Sequence, residues 1–442
     1  MRLLQIEEDG TFSLVYIIDA KNTPYAILSH TWGDSEVTYQ ELLDGPDVTK
    51  AGYRKIQACA EKTAERGLKH FWVDTCCIDK SSSAELSEAI NTMYRWYQEA
   101  EICFAYLEGA SPDLFVSKQP HTVRWFTRGW TLQELLAPRE VAFFGSEWFF
   151  LGTRTEHAAA LSEMTGIHAE ALQRPPERST KRRGTDFTTT YKPIPSFSIA
   201  KRMSWAAKRI TTRSEDLAYC LLGLFNVNMP LLYGEGSTKA FVRLQEEIMK
   251  DSNDQSLFAW RRFCADDDPW EGYSLLAQTP SDFGDSASFV PVHYTNSDDT
   301  YSMTNKGLRI TLQMVKVEQD LHIALLDCVE KSTTGQYAIV ALAFRNYSGN
   351  IYGRIAIHTL RLKDLISCRY SSDTYTFPKQ WPCTSQTIYV LKIYRPGLHT
   401  STLFSSEPLE IQLPRKVYGS EFELVSSSNL FYSAELTRMH SR

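Results

Sequence analysis

The sequence predicts an α/β fold: an open parallel sheet with helices on both faces, then a helical extension, then a C-terminal, mostly antiparallel β domain. Three observations carry this. Between residues 25 and 144, apolar runs of strand length alternate with segments of helical spacing, as a parallel sheet with crossover helices requires. Between 158 and 250 helical periodicity dominates, and from about residue 270 short β-branched and aromatic runs follow, separated by Gly, Asn, Ser and Asp. The expected boundaries are 1–155 for the α/β domain, 156–265 for the helical extension with a basic linker at 173–195, and 266–442 for the β domain.

The elements of the first part follow in order. A short hairpin is expected at 11–19, and 25–30 reads as a buried strand left through the turn Thr31-Trp32-Gly33-Asp34. Residues 51–66 carry helical spacing through Ile56, Cys59, Ala60 and Thr63 and stop at Gly67. The run 70–78 is apolar enough for a strand buried on both sides. Ser82 and Glu85 form a capping box, after which Leu86, Ile90, Met93, Tyr94 and Tyr97 recur on one helical face. Strands at 102–107 and 141–144 bracket a short helix around Trp130 and Glu134, which Pro138 ends.

That helix draws attention because it sets one carboxylate among apolar neighbours. If helical, Trp130 and Glu134 share a face, with Leu135 and Leu136 turned to the core. An ionised carboxylate is costly to bury, so Glu134 is expected to be paired, to border a pocket or to titrate abnormally. A salt bridge to Arg128 or Arg139, with Trp130 as ordinary core, is the plainest outcome. In open α/β sheets ligands bind beyond the carboxyl ends of the strands. Ser29, His30, Trp32 and Gly33 follow the first strand there, Asp74 and Thr75 the second, Glu108 the third, and the Glu134 helix faces the same crevice. Singly, each has a structural explanation: Ser29 and Thr75 as caps, His30 and Trp32 as core, Asp74 as a loop cap. Together on one edge they define the candidate ligand site.

Composition narrows the class. With 442 residues, 43% hydrophobic and 23% charged, the chain is that of a globular protein, and no apolar run approaches the ~18 residues that span a bilayer. The N-terminus lacks a secretory signal, so a cytoplasmic location is expected, and nine scattered cysteines without zinc spacing indicate neither a metal site nor a redox pair. A net charge of −6 argues against nucleic acid as partner, and the basic stretch 173–186 lacks interleaved aromatics. Tyr233-Gly234-Glu235-Gly236-Ser237-Thr238-Lys239 glances at a phosphate loop, but its spacing is incomplete and helix-start turns use glycine anyway. In the following β domain, strands are expected at 308–314, 321–326, 337–344, 355–358, 387–393 and 409–413.

Three motifs in order carry a family resemblance: Tyr25-Ala26-Ile27-Leu28-Ser29-His30-Thr31-Trp32-Gly33, Phe71-Trp72-Val73-Asp74-Thr75-Cys76-Cys77-Ile78-Asp79, and Gly129-Trp130-Thr131-Leu132-Gln133-Glu134. Over about residues 25–150 the chain resembles the heterokaryon incompatibility (HET) domain of filamentous fungi. Arg202-Met203-Ser204-Trp205-Ala206, Arg213-Ser214-Glu215-Asp216-Leu217-Ala218-Tyr219 and Tyr233-Gly234-Glu235-Gly236 resemble the helical extension that often follows it. Cys77-Ile78-Asp79-Lys80 departs from the family's Cys-Ile-Asn-Gln. The resemblance implies kinship with TIR domains, some of which cleave the nicotinamide glycosidic bond of NAD with a Glu in a segment like Trp130-Thr131-Leu132-Gln133-Glu134-Leu135. It thereby implies Glu134 as catalytic carboxylate, Trp32 or Trp130 stacked on a ring, Ser29 and Asp74 lining the crevice, NAD as substrate and no cofactor. It implies equally a non-catalytic scaffold working by homotypic assembly, with a homo-oligomer or an allelic protein as partner. A third expectation makes the β domain a carbohydrate or protein reader that restrains the first half.

Overall fold

The structure is a computed structural model, describing residues 1–18, 20–118, 123–173, 192–261, 272–292, 300–316, 319–331, 337–355, 369–371, 374–376, 383–391 and 432–435. Two compact units emerge: 1–196 with 208–240, and 197–207 with 241–442. Among the described residues no helix is long and apolar enough to cross a membrane.

The first unit holds a seven-stranded sheet. Its strands are β1 (Arg2–Ile6), β2 (Phe12–Tyr16), β3 (Tyr25–His30), β4 (His70–Trp72), β5 (Ile102–Tyr106), β6 (Val141–Phe144) and β7 (Phe150–Thr153), in the spatial order β2-β1-β4-β3-β5-β6-β7. The expected parallel sheet is only its centre. β4, β3, β5 and β6 are parallel, whereas β1 pairs antiparallel with β2 and β4, and β7 antiparallel with β6. The sheet is therefore mixed, with antiparallel pairs at both edges. The hairpin expected at 11–19 is the second arm of the β1–β2 pair, which turns at Gly10 with φ +81°.

Helix α1 (Tyr39–Asp44) and helix α2 (Ala51–Glu65) follow β3, α3 (Ser83–Glu99) follows β4, and α4 (Leu114–Ser117) and α5 (Thr131–Leu136) lie between β5 and β6. In chain order the four parallel strands are arranged second, first, third, fourth, so the direction of winding reverses between β3 and β5. Right-handed crossovers then put α2 on one face and α3 with α5 on the other, consistent with the contacts α2 makes to β3 and β4 and α5 makes to α3 and β3. Packing fixes these faces: Tyr97 of α3 donates to the Leu28 carbonyl at 2.9 Å, and Trp72 meets Trp96 edge-on at 5.6 Å. Each fully buried aromatic such as Trp72 or Phe71 contributes roughly 1.5–3 kcal/mol.

Several local expectations change for physical reasons. β4 stops at Trp72 because the Val73 carbonyl accepts the Cys77 N–H at 2.9 Å and turns the chain. The Ser82 cap forms, but Glu85 does not close the box. Its carboxylate instead accepts the Asp79 N–H at 2.9 Å and pairs with Arg2. The helix expected at 158–172 breaks at Gly166, whose φ is +72°.

In the second unit, Gly307–Lys316, Leu321–Lys331, Tyr337–Ser348, Ile351–Ile355 and Cys383–Val390 close into a five-stranded barrel. All its pairings are antiparallel except that of Ile351–Ile355 with Cys383–Val390. Leu308, Ile310, Leu312 and Met314 point inward along one strand with the period of two that a half-buried strand requires. The expected strand at 409–413, residues 356–358 of another and most of the basic linker lie outside the described residues.

Candidate functional site

The carboxyl ends of β3, β4 and β5 meet at the reversal point of the sheet, where open α/β folds place their ligands. Successive residues of β3 face opposite sides, and the two sides carry different chemistry.

On the α3–α5 side, Ser29 donates its hydroxyl proton to Glu134 Oε2 at 2.5 Å and accepts the indole N–H of Trp125 at 2.8 Å. Glu134 lies in the first turn of α5 and is buried, as are Ser29 and Trp125. Among the described residues no Lys or Arg nitrogen comes within ion-pair distance of its carboxylate, so the expected salt bridge to Arg128 or Arg139 is not formed. Burial drives the Glu134 carboxyl up to about 8; the Asp74 charge adds to this, while the Ser29 hydrogen bond and the charges of Arg128 and Arg209 oppose it. Of the three outcomes expected for this group, abnormal titration is the one the environment produces. At neutral pH the ligand-free acid is mostly protonated.

Beside it, Trp32 is 42% exposed and donates its indole N–H to Asp74 Oδ2 at 2.8 Å, and the Lys80 ammonium lies 3.7 Å from the Trp32 ring centre. Asp74 is half-buried and Gly33 exposed. These groups are exposed or half-buried, whereas Glu134 and Ser29 are buried.

On the α2 side sits a separate cluster. His30 is buried, its Nε2 3.4 Å from Glu36 Oε2 without the alignment of a hydrogen bond. Glu36 also accepts from Lys55 Nζ at 2.6 Å and from the Gly33 N–H at 2.8 Å. Burial would raise the Glu36 carboxyl, but His30, Gly33 and Lys55 together pull it down to about 2. His30 and Gly33 thus belong to this second cluster rather than to the Glu134 side.

Trp130 stands at the start of α5 with helical backbone angles, four residues before Glu134. It precedes the first turn of α5 as the capping residue, and its indole N–H is committed to Asp216 Oδ2 at 3.2 Å. Trp125, Glu36, Lys55 and Arg209 escaped the sequence reading. Of these only Trp125 carried a signal, since it opens the same Trp-rich segment as Trp130. The phosphate-loop look-alike is also explained. Gly234 and Gly236, at φ +99° and +85°, direct their N–H groups onto the Glu215 carboxylate at 2.9 and 3.0 Å, and the loop thereby holds a carboxylate of its own chain.

Comparison with known proteins falls on this same region. Residues 25–124 match the family model described as heterokaryon incompatibility protein (HET), and residues 239–271 match a domain of unknown function (DUF8212). Vegetative incompatibility protein HET-E-1 of Podospora anserina is 46% identical over 261 residues, which cover 57% of this chain and 18% of that protein. The chain thus spans less than a fifth of the relative's length. No solved structure matches. The matched span contains β3, β4, β5, Ser29, Trp32 and Asp74, and the chain carries a heterokaryon incompatibility (HET) domain.

Proposed function

We propose that the chain acts in fungal heterokaryon incompatibility as a cell-death effector, and that its TIR-like first unit cleaves NAD at the nicotinamide glycosidic bond with Glu134 as the catalytic carboxyl. The observation that carries the catalytic part is the buried Glu134 carboxyl, raised to about 8 and seated on Ser29 at the strand reversal. The strand order of the parallel centre and the similarity to a vegetative incompatibility protein support the rest.

The chemistry follows from charge. Nicotinamide in NAD is cationic, and a cation brought against Glu134 favours the ionised form, so binding releases the proton that burial retains. The carboxylate then accepts hydrogen bonds from the ribose hydroxyls and stabilises the oxocarbenium-like charge that builds as the C–N bond breaks. The bond's electron pair leaves with nicotinamide, whose ring becomes neutral. Water adds to the ribose carbon and loses a proton, giving ADP-ribose. Ser29 holds the carboxyl in place, and Trp32 with Asp74 lines the approach.

One observation favours a scaffold instead: Glu134 is only 7% exposed, as a purely structural group would be. On that reading the domain signals by contact with other copies or with an allelic partner. Expression of the full chain and of Glu134→Gln in a filamentous fungus separates the two, with cell death and cellular NAD scored together. The catalytic reading expects both death and NAD loss to vanish in the variant. Death that persists with NAD intact supports the scaffold.

A further inference from the structure

Helix α5 cannot owe its position to its own sequence. It is six residues long, no side chain caps its N-terminus, and a helix of that length is unstable in isolation. Besides its packing on α3 and β3, a strap at 209–216 holds it. The strap and the segment before α5 exchange backbone hydrogen bonds, Ile210 N–H to the Thr127 carbonyl at 2.7 Å and Gly129 N–H to the Ile210 carbonyl at 2.9 Å. Arg128 reaches Thr212 Oγ1 at 2.9 Å, and Asp216 takes the Trp130 indole.

At the centre of the strap lies Arg209. It is buried, and one guanidinium nitrogen donates to the Arg128 carbonyl at 2.8 Å and to Thr131 Oγ1 at 2.9 Å. Thr131, the first residue of α5, passes its own hydroxyl proton to the Trp125 or Arg128 carbonyl, at 2.6 and 2.9 Å. Arg209 therefore ties the start of α5 to the segment that also carries Trp125, the partner of Ser29. Desolvating a guanidinium costs free energy, and here one of its nitrogens fixes the two groups from which α5 starts, the Arg128 carbonyl and the Thr131 hydroxyl.

We propose that Arg209 is a positioning residue for Glu134, clamping the first turn of α5 so that the carboxyl stays seated on Ser29 and closed to water. Its importance for turnover rests on the function proposed above; the clamp itself does not. The groups that act on Glu134 are Ser29 by hydrogen bond and Asp74, Arg128 and Arg209 by charge, with the Tyr97 hydroxyl and the Cys103 and Cys220 thiols also in its field.

Infrared difference titration of the full chain tests the clamp through the carboxylic C=O stretch, which is assigned to Glu134 as the band missing from Glu134→Gln. Two substitutions leave every charge in place: Arg209→Lys, whose ammonium cannot keep the planar donor geometry, and Thr131→Val, which removes the acceptor. Both are expected to let water reach the carboxyl and lower its midpoint by about one pH unit. A midpoint unmoved in both folded variants overturns the proposal, and Thr131→Val decides alone if Arg209→Lys does not fold. Nicotinamide release is followed on the same samples. Its absence from the wild type counts against NAD cleavage and leaves the titration result standing.

Discussion

Replacing Glu134 with Gln is expected to change stability by an amount that depends on pH. The folded chain holds this proton more tightly than the unfolded chain, because burial raises the carboxyl from 4.5 to about 8. Such a group contributes stability that is complete below pH 4.5 and is lost as pH rises through 8. At about 1.4 kcal/mol per pH unit, that window corresponds to at most about 5 kcal/mol. Glutamine is nearly isosteric, never ionises, and keeps a carbonyl that can accept the Ser29 hydroxyl. In denaturant titrations of both full-length proteins, the variant should gain on the wild type by about 1 kcal/mol or less at pH 5 and by a few kcal/mol at pH 8, with no further gain above. Parallel stability curves from pH 5 to 9 would refute the claim that Glu134 is a desolvated, protonated acid at neutral pH.

Three further outcomes follow from the same geometry. Ser29→Ala strands the buried Trp125 indole N–H and removes the hydrogen bond that favours ionised Glu134, so it should cost about 1–3 kcal/mol in denaturant titration and move the Glu134 midpoint further up. Gly129→Ala places a methyl 2.5 Å from Thr211 Cγ2 and 3.1 Å from Cys220 Sγ, and should destabilise the chain by about 1–3 kcal/mol by thermal or chemical melting. If NAD is the substrate, kcat/KM should rise with pH up to about 8, since it reports the free enzyme's titration, and a profile flat from pH 6 to 9 would dissociate Glu134 from the reaction.

Local sequence carried much of the first unit because its parallel strands are buried on both faces and its longer helices are amphipathic. The placement of Ser29 and Asp74 at the carboxyl edge of the sheet was legible for the same reason: Ser29 lies near the end of β3 and Asp74 just beyond β4. What pairs across long sequence distances was not. Nothing in the residues around Glu215 announces that Gly234 and Gly236 will close on its carboxylate, and nothing near Trp130 announces Asp216. The antiparallel edges escaped because β1 and β7 read as unremarkable short runs whose direction depends on their neighbours. The division of the chain also bears on the idea that the β domain restrains the first half. Gln245 donates to the Ala277 carbonyl and Ser198 to the Phe289 carbonyl, all within the second unit. Cutting at Trp270 strips these buried groups of their partners, so toxicity after such a deletion would mix release with unfolding.

The most direct test of the account is nicotinamide release from NAD by the purified, concentrated full chain at pH 7.5, beside a Glu134→Gln protein shown by circular dichroism to be folded. Release by the wild type and none by the variant is the predicted result. Equal release by both proteins, or none by the wild type in any assembled state, would contradict it.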